Sequence, residues 1–210
     1  MLTTLILVPT QMELDCLSDR FRKGIERQNG RIELCGFGVV VSGIRATQWI
    51  AELAPKRVLL IGIAGALSPE LQVGDAVEFG EAVCYGIGAG SGDAFISANE
   101  MGWKQWPGAT EIADSIQLSD GGQTNGNCLL TCCSASSTKR DVQLRYEKYP
   151  KAVAEDMEGF SVAVACRFAG TPLRIIRGIS NLAGDRNKSN WRLRDAMLAV
   201  ERTISHEAGI

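Results

Sequence analysis

The last third of the chain carries the residues best suited to chemistry on a small molecule. Met157 and Glu158 stand at the start of a predicted helix, and the apolar run from Leu173 to Ile179 predicts a strand that ends in Ser180 and Asn181. Ligands of open α/β sheets bind beyond the carboxyl ends of strands and beside helix N-termini. The sequence therefore predicts a small-molecule pocket where these two groups of residues meet.

A second carboxylate lies near the amino terminus. The apolar run from Thr4 to Val8 predicts a central strand buried on both faces, and the residues from about Gln11 predict an amphipathic helix. Glu13 then lies in the first helical turn, just past a strand end. Glutamate is also common in first turns because it complements the helix dipole, so this position alone fits either a catalytic or a structural role.

The residue types present narrow the chemistry. The single histidine, His206, excludes Ser-His-Asp and Cys-His catalysis and histidine-based zinc sites. Seven cysteines without a C-x-x-C pair indicate buried, reduced thiols. We expect Cys128, Cys132 and Cys133 to serve core packing rather than a metal site, since Cys132 and Cys133 point to opposite faces of a strand. Acid–base chemistry must then come from carboxylates, with no metal and no cofactor.

Charge and hydropathy exclude several classes of partner. The 22 basic and 24 acidic residues give a net charge of -2 without a basic patch, so we expect no binding of nucleic acid. The first apolar run lacks a basic leader and is too short for a membrane span, so we expect a cytoplasmic protein. Nothing divides the sequence, which predicts a single domain over residues 1–210.

Apolar runs alternate with helical patterns along the chain and predict an α/β fold. Further predicted segments are strands at Ile32 to Leu34, Phe37 to Val41, Arg57 to Ile63 and Cys128 to Ser134, a long strand to Tyr85 after a turn at Val73 to Asp75, a helix entered through Ser42 and Gly43, and a helix from Asp141 to Tyr149. Ala64 and Gly65 follow Ile63 in a run of small residues that lets the backbone approach a ligand closely. A tight turn is the competing interpretation.

The stretch from Gly86 to Thr124 shows little periodicity and contains Trp103 and Trp106. Long irregular segments in compact domains are often lids or binding loops. We therefore expect part of this stretch to face a ligand or a partner.

Two arginines lie on the predicted strand that leads to Ser180. A buried guanidinium without a partner is very costly, so Arg174 and Arg177 need acidic neighbours, for which Glu155 and Glu158 are available. A purely structural role for Arg177 stays open.

Several motifs occur together in one order: the glutamate after the first strand, GIAGAL with VGDAV, AEDMEG, and RGISN with GDRNKSNW. In combination they resemble the nucleoside phosphorylase and nucleosidase superfamily from Thr4 to about Ala199, and within it they are most similar to the futalosine hydrolases of an alternative menaquinone pathway. The resemblance implies a central mixed, partly barrel-like sheet flanked by helices. It also implies a nucleoside substrate and a homodimer or larger homo-oligomer, with the site often near a subunit boundary.

The resemblance implies roles for individual residues as well. Glu13 would act as the base on water, Glu158 would hold the ribose hydroxyls, and Asn181 would hold the purine. The other side chains implied in the pocket are Met157 against the sugar, Trp191 on the base, and Arg177 and Ser180 in the wall.

Two stretches depart from the family pattern. Ser42 to Arg45 stands where a Gly-x-Gly often precedes the second helix, and the CCSAS stretch lacks the aromatic residue that related adenine-acting nucleosidases carry there. The residue that covers the second face of the purine is therefore not assigned.

Asn181 bears on the leaving group. Hypoxanthine presents a ring nitrogen and a carbonyl oxygen, two neighbouring acceptors to which an amide NH₂ can donate. Adenine instead pairs an acceptor with an amino donor, which suits a protonated aspartic acid. Asn181 therefore favours an oxopurine leaving group over adenine. Together with the resemblance, this implies hydrolysis of futalosine with release of hypoxanthine, in which Glu158 would stabilise the positive charge on the sugar.

Three alternatives remain. A methylthioadenosine or S-adenosylhomocysteine nucleosidase is disfavoured, because by the same resemblance that group has Ser-Asp where this chain has Ser180 and Asn181. A purine nucleoside phosphorylase would need a basic cradle for phosphate. A non-catalytic nucleoside-binding member of the fold would have little use for Glu13.

Overall fold

The computed structural model of the protein describes residues 2–118 and 126–210. Its strands are β1 (Thr4–Val8), β2 (Gly30–Leu34), β3 (Arg57–Ala66), β4 (Ala76–Phe79), β5 (Glu81–Tyr85), β6 (Gly88–Ala89), β7 (Ile96–Ser97), β8 (Ser115–Gln117), β9 (Cys128–Cys132), β10 (Ala152–Asp156) and β11 (Leu173–Leu182). Its helices are α1 (Gln11–Asp15), α2 (Asp19–Arg27), α3 (Val39–Leu53), α4 (Lys139–Lys148), α5 (Gly159–Ala169) and α6 (Leu193–Ala208). The predicted α/β class is confirmed.

Nine of these strands form one mixed sheet. Its main path runs β2-β1-β3-β10-β9-β5-β8, and β11 with β4 extends from the other edge of β3. Strands β2, β1, β3 and β11 are parallel, whereas β10 is antiparallel to β3. The prediction of a mixed sheet is confirmed. No closed barrel forms among the described strands, because β2, β4 and β8 each pair with one neighbour.

The sheet divides at β3. One edge of β3 pairs with β11 over nearly its whole length. The other edge pairs with β1 only as far as Leu60 and with β10 only from Gly65 onward. Residues 61–64 on this edge lie between the two partners, so their backbone groups need other hydrogen-bond partners. We call this stretch the β3 opening.

Helices cover both faces of the sheet. Along β1, Leu5 and Leu7 pack in the core that α3 and α5 complete, while Ile6 and Val8 pack in the core that α2 and α6 complete. All four side chains are fully buried, as predicted for a strand covered on both faces. Of the helices described here, none is long and apolar enough to cross a membrane.

One predicted strand is wrong. The valine-rich stretch from Phe37 to Val41 enters helix α3, because Gly36 and Gly38 turn the chain at φ angles of 86° and 82° and Gly38 is the N-cap residue. Gly36-Phe37-Gly38 thus precedes the helix directly, so the departure from the Gly-x-Gly pattern inferred at Ser42 does not stand.

The long strand predicted to end at Tyr85 is also wrong. It consists of β4 and β5, which separate at Gly80 because β4 pairs with β11 and β5 pairs with β9. The stretch predicted to be irregular after Tyr85 contains the short hairpin β6-β7 and strand β8. The end of that stretch, residues 119–124, lies outside the described residues.

Candidate active site

A cavity of about 670 Å³ gathers the predicted site residues, and every one of them except Arg177 lines it. It lies where the β1–α1 junction, the carboxyl ends of β3 and β11, and the β10–α5 junction meet. Its volume is within the range of roughly 300 to 1,000 Å³ that small-molecule sites occupy. The structure therefore brings together residues that are more than 160 positions apart in sequence, such as Glu13 and Asn181.

Glu13 occupies the β3 opening. Its carboxylate accepts a hydrogen bond of 2.9 Å from the Ile63 backbone N–H and another from the Thr10 hydroxyl. Thr10 also caps helix α1 by accepting the Glu13 N–H at 3.3 Å. A carboxylate has about four acceptor positions, so Glu13 can still accept a proton or a hydrogen bond from a water in the cavity.

Glu158 lies at the N-termini of two helices. It is the N-cap residue of α5, and its Oε1 accepts a 3.0 Å hydrogen bond from the N–H of Gly38, the N-cap residue of α3. Both helix dipoles favour a negative charge there. Burial nevertheless raises the pKa of Glu158 to about 7; Arg177 acts against this rise and the Asp156 carboxylate adds to it.

Arg177 does not line the cavity, and the prediction that it does needs correction. Its side chain is 0% exposed because it lies behind the cavity wall, in the β3 opening. There its guanidinium donates to the Ile61 carbonyl at 3.2 Å, to Glu158 at 3.3 Å, and twice to Asp156, at 3.1 and 2.5 Å. Arg177 and Glu13 thus satisfy backbone groups that β1 and β10 leave unpaired.

The predicted pairing of Arg177 with Glu158 is confirmed, whereas Glu155 pairs with neither predicted arginine. Glu155 forms a buried ion pair with Arg145, and Arg174 pairs with Glu78 at 2.6 Å. Arg174 therefore holds β11 to β4, away from the cavity.

Position 62 requires glycine, because the neighbouring side chains leave no room for a Cβ atom. A Cβ at this position would lie 2.2 Å from Arg177 Nη1 and 2.6 Å from Glu13 Oε1. At Gly65, by contrast, a Cβ would meet its neighbours at ordinary distances of 3.4 to 3.5 Å. The position in this stretch that requires glycine is therefore Gly62, where the backbone closely approaches two charged side chains.

The carboxyl end of β11 is irregular, and this places Ser180 and Asn181. The register with β3 shifts between Ile179 and Asn181, and bulges of this kind re-aim side chains near sites. Ser180 donates to Asn181 Oδ1 at 2.7 Å, and Asn181 Nδ2 donates to the Leu182 carbonyl at 2.8 Å. One N–H of the Asn181 amide is therefore left for a ligand.

Residues 133–137 form a wall of the cavity that the sequence left unassigned, and none of them is aromatic. Ser136 donates to Glu155 from its backbone N–H at 2.8 Å and from its hydroxyl at 2.7 Å. Arg145 in turn donates to the Ser136 hydroxyl at 2.9 Å and to the Ser134 carbonyl at 2.8 Å. The buried Arg145–Glu155 ion pair thus holds this wall in place.

The cysteines largely follow the prediction. Cys132 is buried and Cys133 is exposed at the cavity, so the two lie on opposite faces. Burial raises the pKa of the Cys128 thiol to about 12, so this thiol is protonated at neutral pH. The expectation that the thiols are buried is wrong for Cys133.

Asp156, Phe37 and Arg186 are among the other residues of the cavity wall that the sequence reasoning missed. Asp156 directly precedes Met157 in the AEDMEG motif, and this motif could have identified it. Phe37 was missed because the stretch from Phe37 to Val41 was wrongly predicted to be a strand. Arg186 is the one basic residue on the described wall, and its guanidinium lies 5.5 Å from the ring centroid of Trp191. The Trp191 indole donates to the Asp185 carbonyl at 3.1 Å.

The chain is similar in sequence to a futalosine hydrolase and to a nucleosidase. A futalosine hydrolase of Streptomyces coelicolor is 28% identical over 156 residues, which cover 73% of this chain and 65% of that protein. A 5'-methylthioadenosine/S-adenosylhomocysteine nucleosidase of Marinomonas sp. is 27% identical over 165 residues, which cover 74% of this chain and 69% of the relative. The chain thus spans slightly less than two thirds of the Streptomyces protein.

The fold has solved counterparts. The structure of a futalosine hydrolase of Helicobacter pylori superposes with a TM-score of 0.74 at 18% identity, covering 97% of this chain and 96% of that one. The family described as the phosphorylase superfamily matches residues 18–208. This chain therefore belongs to the phosphorylase superfamily.

Proposed function

We propose that this protein is a nucleosidase that hydrolyses the N-ribosyl bond of futalosine and releases hypoxanthine. The observation that carries the proposal is the meeting of two buried carboxylates, Glu13 and Glu158, with the Asn181 amide in one cavity. The relatives named futalosine hydrolase and nucleosidase support this class of reaction.

The reaction assigns a different task to each carboxylate. The N-ribosyl bond breaks with an oxocarbenium-like transition state, whose positive charge the ionised Glu158 stabilises while it accepts hydrogen bonds from the ribose hydroxyls. Glu13 takes a proton from the water whose oxygen bonds to the anomeric carbon. The purine leaves with the electron pair of the broken bond and gains a proton from solvent, to which Glu13 returns the proton that it took from water. Asn181 donates a hydrogen bond to the departing purine.

The charge of the cavity favours water over phosphate as the attacking group. Glu13, Asp156 and Glu158 all line the cavity, whereas Arg186 is the one basic residue on its described wall. Arg177 is already engaged by carboxylates and has no exposed surface. A phosphate dianion would meet repulsion here rather than the cluster of cationic donors that phosphate sites use.

A methylthioadenosine or S-adenosylhomocysteine nucleosidase is the second candidate, because a relative of that name lies at a similar distance. Asn181 argues for the oxopurine. Its remaining N–H suits an acceptor, and donation to both acceptors of hypoxanthine requires the amide to release the Leu182 carbonyl.

One experiment separates these candidates. The protein is incubated with futalosine, inosine or methylthioadenosine, each with and without phosphate, and the released base and sugar are identified. We expect hypoxanthine from futalosine at a rate that phosphate does not change. Release of adenine from methylthioadenosine would favour the second candidate, formation of ribose 1-phosphate would indicate a phosphorylase, and no release from any nucleoside would contradict nucleosidase activity.

The first prediction concerns pH. We expect kcat/KM to rise with pH to a plateau with a midpoint near the Glu158 pKa of about 7, because only the ionised carboxylate stabilises the sugar cation. Below this pH the protonated, neutral form prevails. The residual activity of Glu158→Gln should lack this step. A wild-type midpoint close to the ordinary glutamate value of about 4.3 would contradict the assignment.

The second prediction concerns assembly. Met12 and Phe37 on the cavity wall are 67% and 63% exposed, and Val40 and Ile44 extend this apolar surface along α3. Large exposed apolar patches mark interaction sites. We propose a homodimer in which residues 86–118 of one subunit, the described part of the segment from Gly86 to Thr124, close the cavity of its partner, so sedimentation should give a dimer.

A double variant tests this interface. Val40→Glu with Ile44→Glu should give a monomer with activity lowered by at least about tenfold, because two charges would be buried at the contact. Tyr146→Glu, an exposed position on α4, is the matched control and should stay dimeric. A wild-type monomer of full activity at low concentration would contradict the proposal.

We also propose a cytoplasmic location. All seven cysteines are free, and the five buried ones lie in the core without disulfide partners. This usage of cysteine is typical of a reducing compartment.

A further inference from the structure

Asp156 is a buried carboxylate at the end of β10 to which the reaction described above assigns no task. Its Oδ2 accepts two hydrogen bonds from Arg177, at 3.1 and 2.5 Å, and a third of 2.8 Å from the N–H of Gly159, the first residue of α5. Its Oδ1 accepts a 2.6 Å hydrogen bond from the Thr131 hydroxyl on β9. Asp156 therefore ties together β9, β11 and the start of the helix that carries Glu158.

Thr131 extends this connection into α5. Its hydroxyl oxygen also accepts the Phe160 N–H at 2.8 Å, and its side chain is fully buried. The first two N–H groups of α5 thus donate to Asp156 and to Thr131, so Glu158, the N-cap residue, needs no capping hydrogen bond of its own. Its carboxylate is free to turn to Gly38 and the cavity.

Arg177 is shared unequally. The charged groups that face Glu158 are Arg177 from β11, Asp156 from β10 and Glu13 from α1, with the Gly38 N–H from α3 beside them. The Arg177 guanidinium donates hydrogen bonds to two of these carboxylates, Asp156 and Glu158, and interacts with the third, Glu13, only through its charge. Asp156 accepts two hydrogen bonds, from Nε and Nη2 of Arg177, whereas Glu158 accepts one, from Nη2 at 3.3 Å.

We propose that Asp156 is a positioning residue that retains Arg177 and the first turn of α5, and so prevents Arg177 from pairing fully with Glu158. This inference rests on the proposed role of Glu158 toward ribose. A Glu158 carboxylate in a bidentate pair with Arg177 would have fewer acceptor positions for the ribose hydroxyls and less net negative charge for the sugar cation. Asp156 thereby leaves Glu158 available to substrate.

The test is a titration of Glu158 in the whole protein labelled with ¹³C at the glutamate carboxyl carbon, with Glu158→Gln to assign the signal. In Asp156→Asn the amide keeps the size of the side chain and removes its charge, so Arg177 should move to Glu158. The Glu158 midpoint should fall by about one pH unit or more, because it loses a like charge and gains an opposite one. The acid limb of kcat/KM should move the same way, and its plateau should fall at least about tenfold.

Two further variants keep the test decisive. Arg177→Lys offers one ammonium group, which should stay with Asp156, so the titration midpoint of Glu158 should rise instead. This variant also provides a test of the proposal if Asp156→Asn does not fold. Thr131→Val removes the hydroxyl without changing any charge, so it should lower the melting temperature and leave the midpoint in place, and Thr131→Ser should restore the stability.

Loss of the Asp156 charge alone also lowers the midpoint, so Asp156→Asn is compared with the same change in an Arg177→Gln background, where no guanidinium can move to Glu158. We expect a larger fall when Arg177 is present. A merely structural Asp156 would lower stability and move the midpoint equally in both backgrounds, and that result would overturn the proposal. The carboxyl titration needs no substrate, so it separates this outcome from a failure of nucleosidase activity itself.

Discussion

Glu13→Gln should lower kcat for base release by a factor on the order of a hundred or more while the fold stays intact, since removal of a general base typically has an effect of this size. Glutamine has nearly the shape of glutamate, and its amide oxygen can still accept the Ile63 N–H that Glu13 now accepts at 2.9 Å. The amide cannot take a proton from water at neutral pH. The substituted protein should therefore bind substrate and fail to activate water.

The measurement is a comparison of kcat, KM and melting temperature for the wild type and this variant. We expect KM to change little, because Glu158 and Asn181 make the proposed contacts to sugar and base. Asp15→Asn is the matched control: it removes a carboxylate from the same short helix, outside the cavity, and should leave kcat unchanged. Undiminished turnover by Glu13→Gln would remove Glu13 from the mechanism.

The sequence carried enough information for the parts of the fold that depend on local pattern. The apolar run of β1 is buried on both faces as predicted, and Glu13 follows it in a first helical turn. The helix of Glu158 and the strand of Asn181 also occur where predicted. Strand ends and helix starts converge at one edge of such a sheet, so these residues could be placed in one pocket before any coordinates.

Other features depend on contacts between distant parts of the chain. Helix α3 begins at Val39 although its valines favour a strand, and the Gly38 N–H at its start donates to Glu158, 120 residues away. Arg177 lies behind the wall because one edge of β3 has no strand partner between Leu60 and Gly65, which no single segment reveals. Local secondary-structure propensity cannot predict either the start of α3 or the position of Arg177.

The wall at residues 133–137 shows the same limit. The sequence predicted a strand as far as Ser134 and no role for the residues after it, whereas β9 ends at Cys132. The position of the wall is set by Ser136, Glu155 and Arg145, which belong to three separate segments. The prediction assigned Glu155 to Arg174 or Arg177 because these carry the complementary charge, but charge alone does not select among three arginines. The choice follows from the sheet order, which places β10 beside β9.

Asn181→Asp should shift the preference of the enzyme from oxopurine toward adenine nucleosides by roughly ten- to a hundredfold, because a mismatched buried polar group costs about 1 to 3 kcal/mol. An ionised aspartate would face the carbonyl oxygen of hypoxanthine, so turnover of futalosine should collapse. The Leu182 carbonyl, which now accepts from Asn181 Nδ2 at 2.8 Å, would also face a carboxyl oxygen. Both contacts favour the protonated acid, which can donate to the ring nitrogen of adenine and accept from its amino group.

The competing explanation is that Asn181 only secures the irregular end of β11, where it bridges the Ser180 hydroxyl and the Leu182 carbonyl. In that case Asn181→Asp should lower the melting temperature and reduce the efficiency on futalosine and on methylthioadenosine by the same factor. Ser180→Ala is the matched control, because it removes the hydrogen bond that orients the Asn181 oxygen and leaves the amide in place. It should weaken both substrates without reversing their order, since the donor that faces the base is kept. A change in the ratio of the two kcat/KM values in Asn181→Asp, absent from Ser180→Ala, would therefore assign base selection to the amide itself rather than to the stability of the strand end.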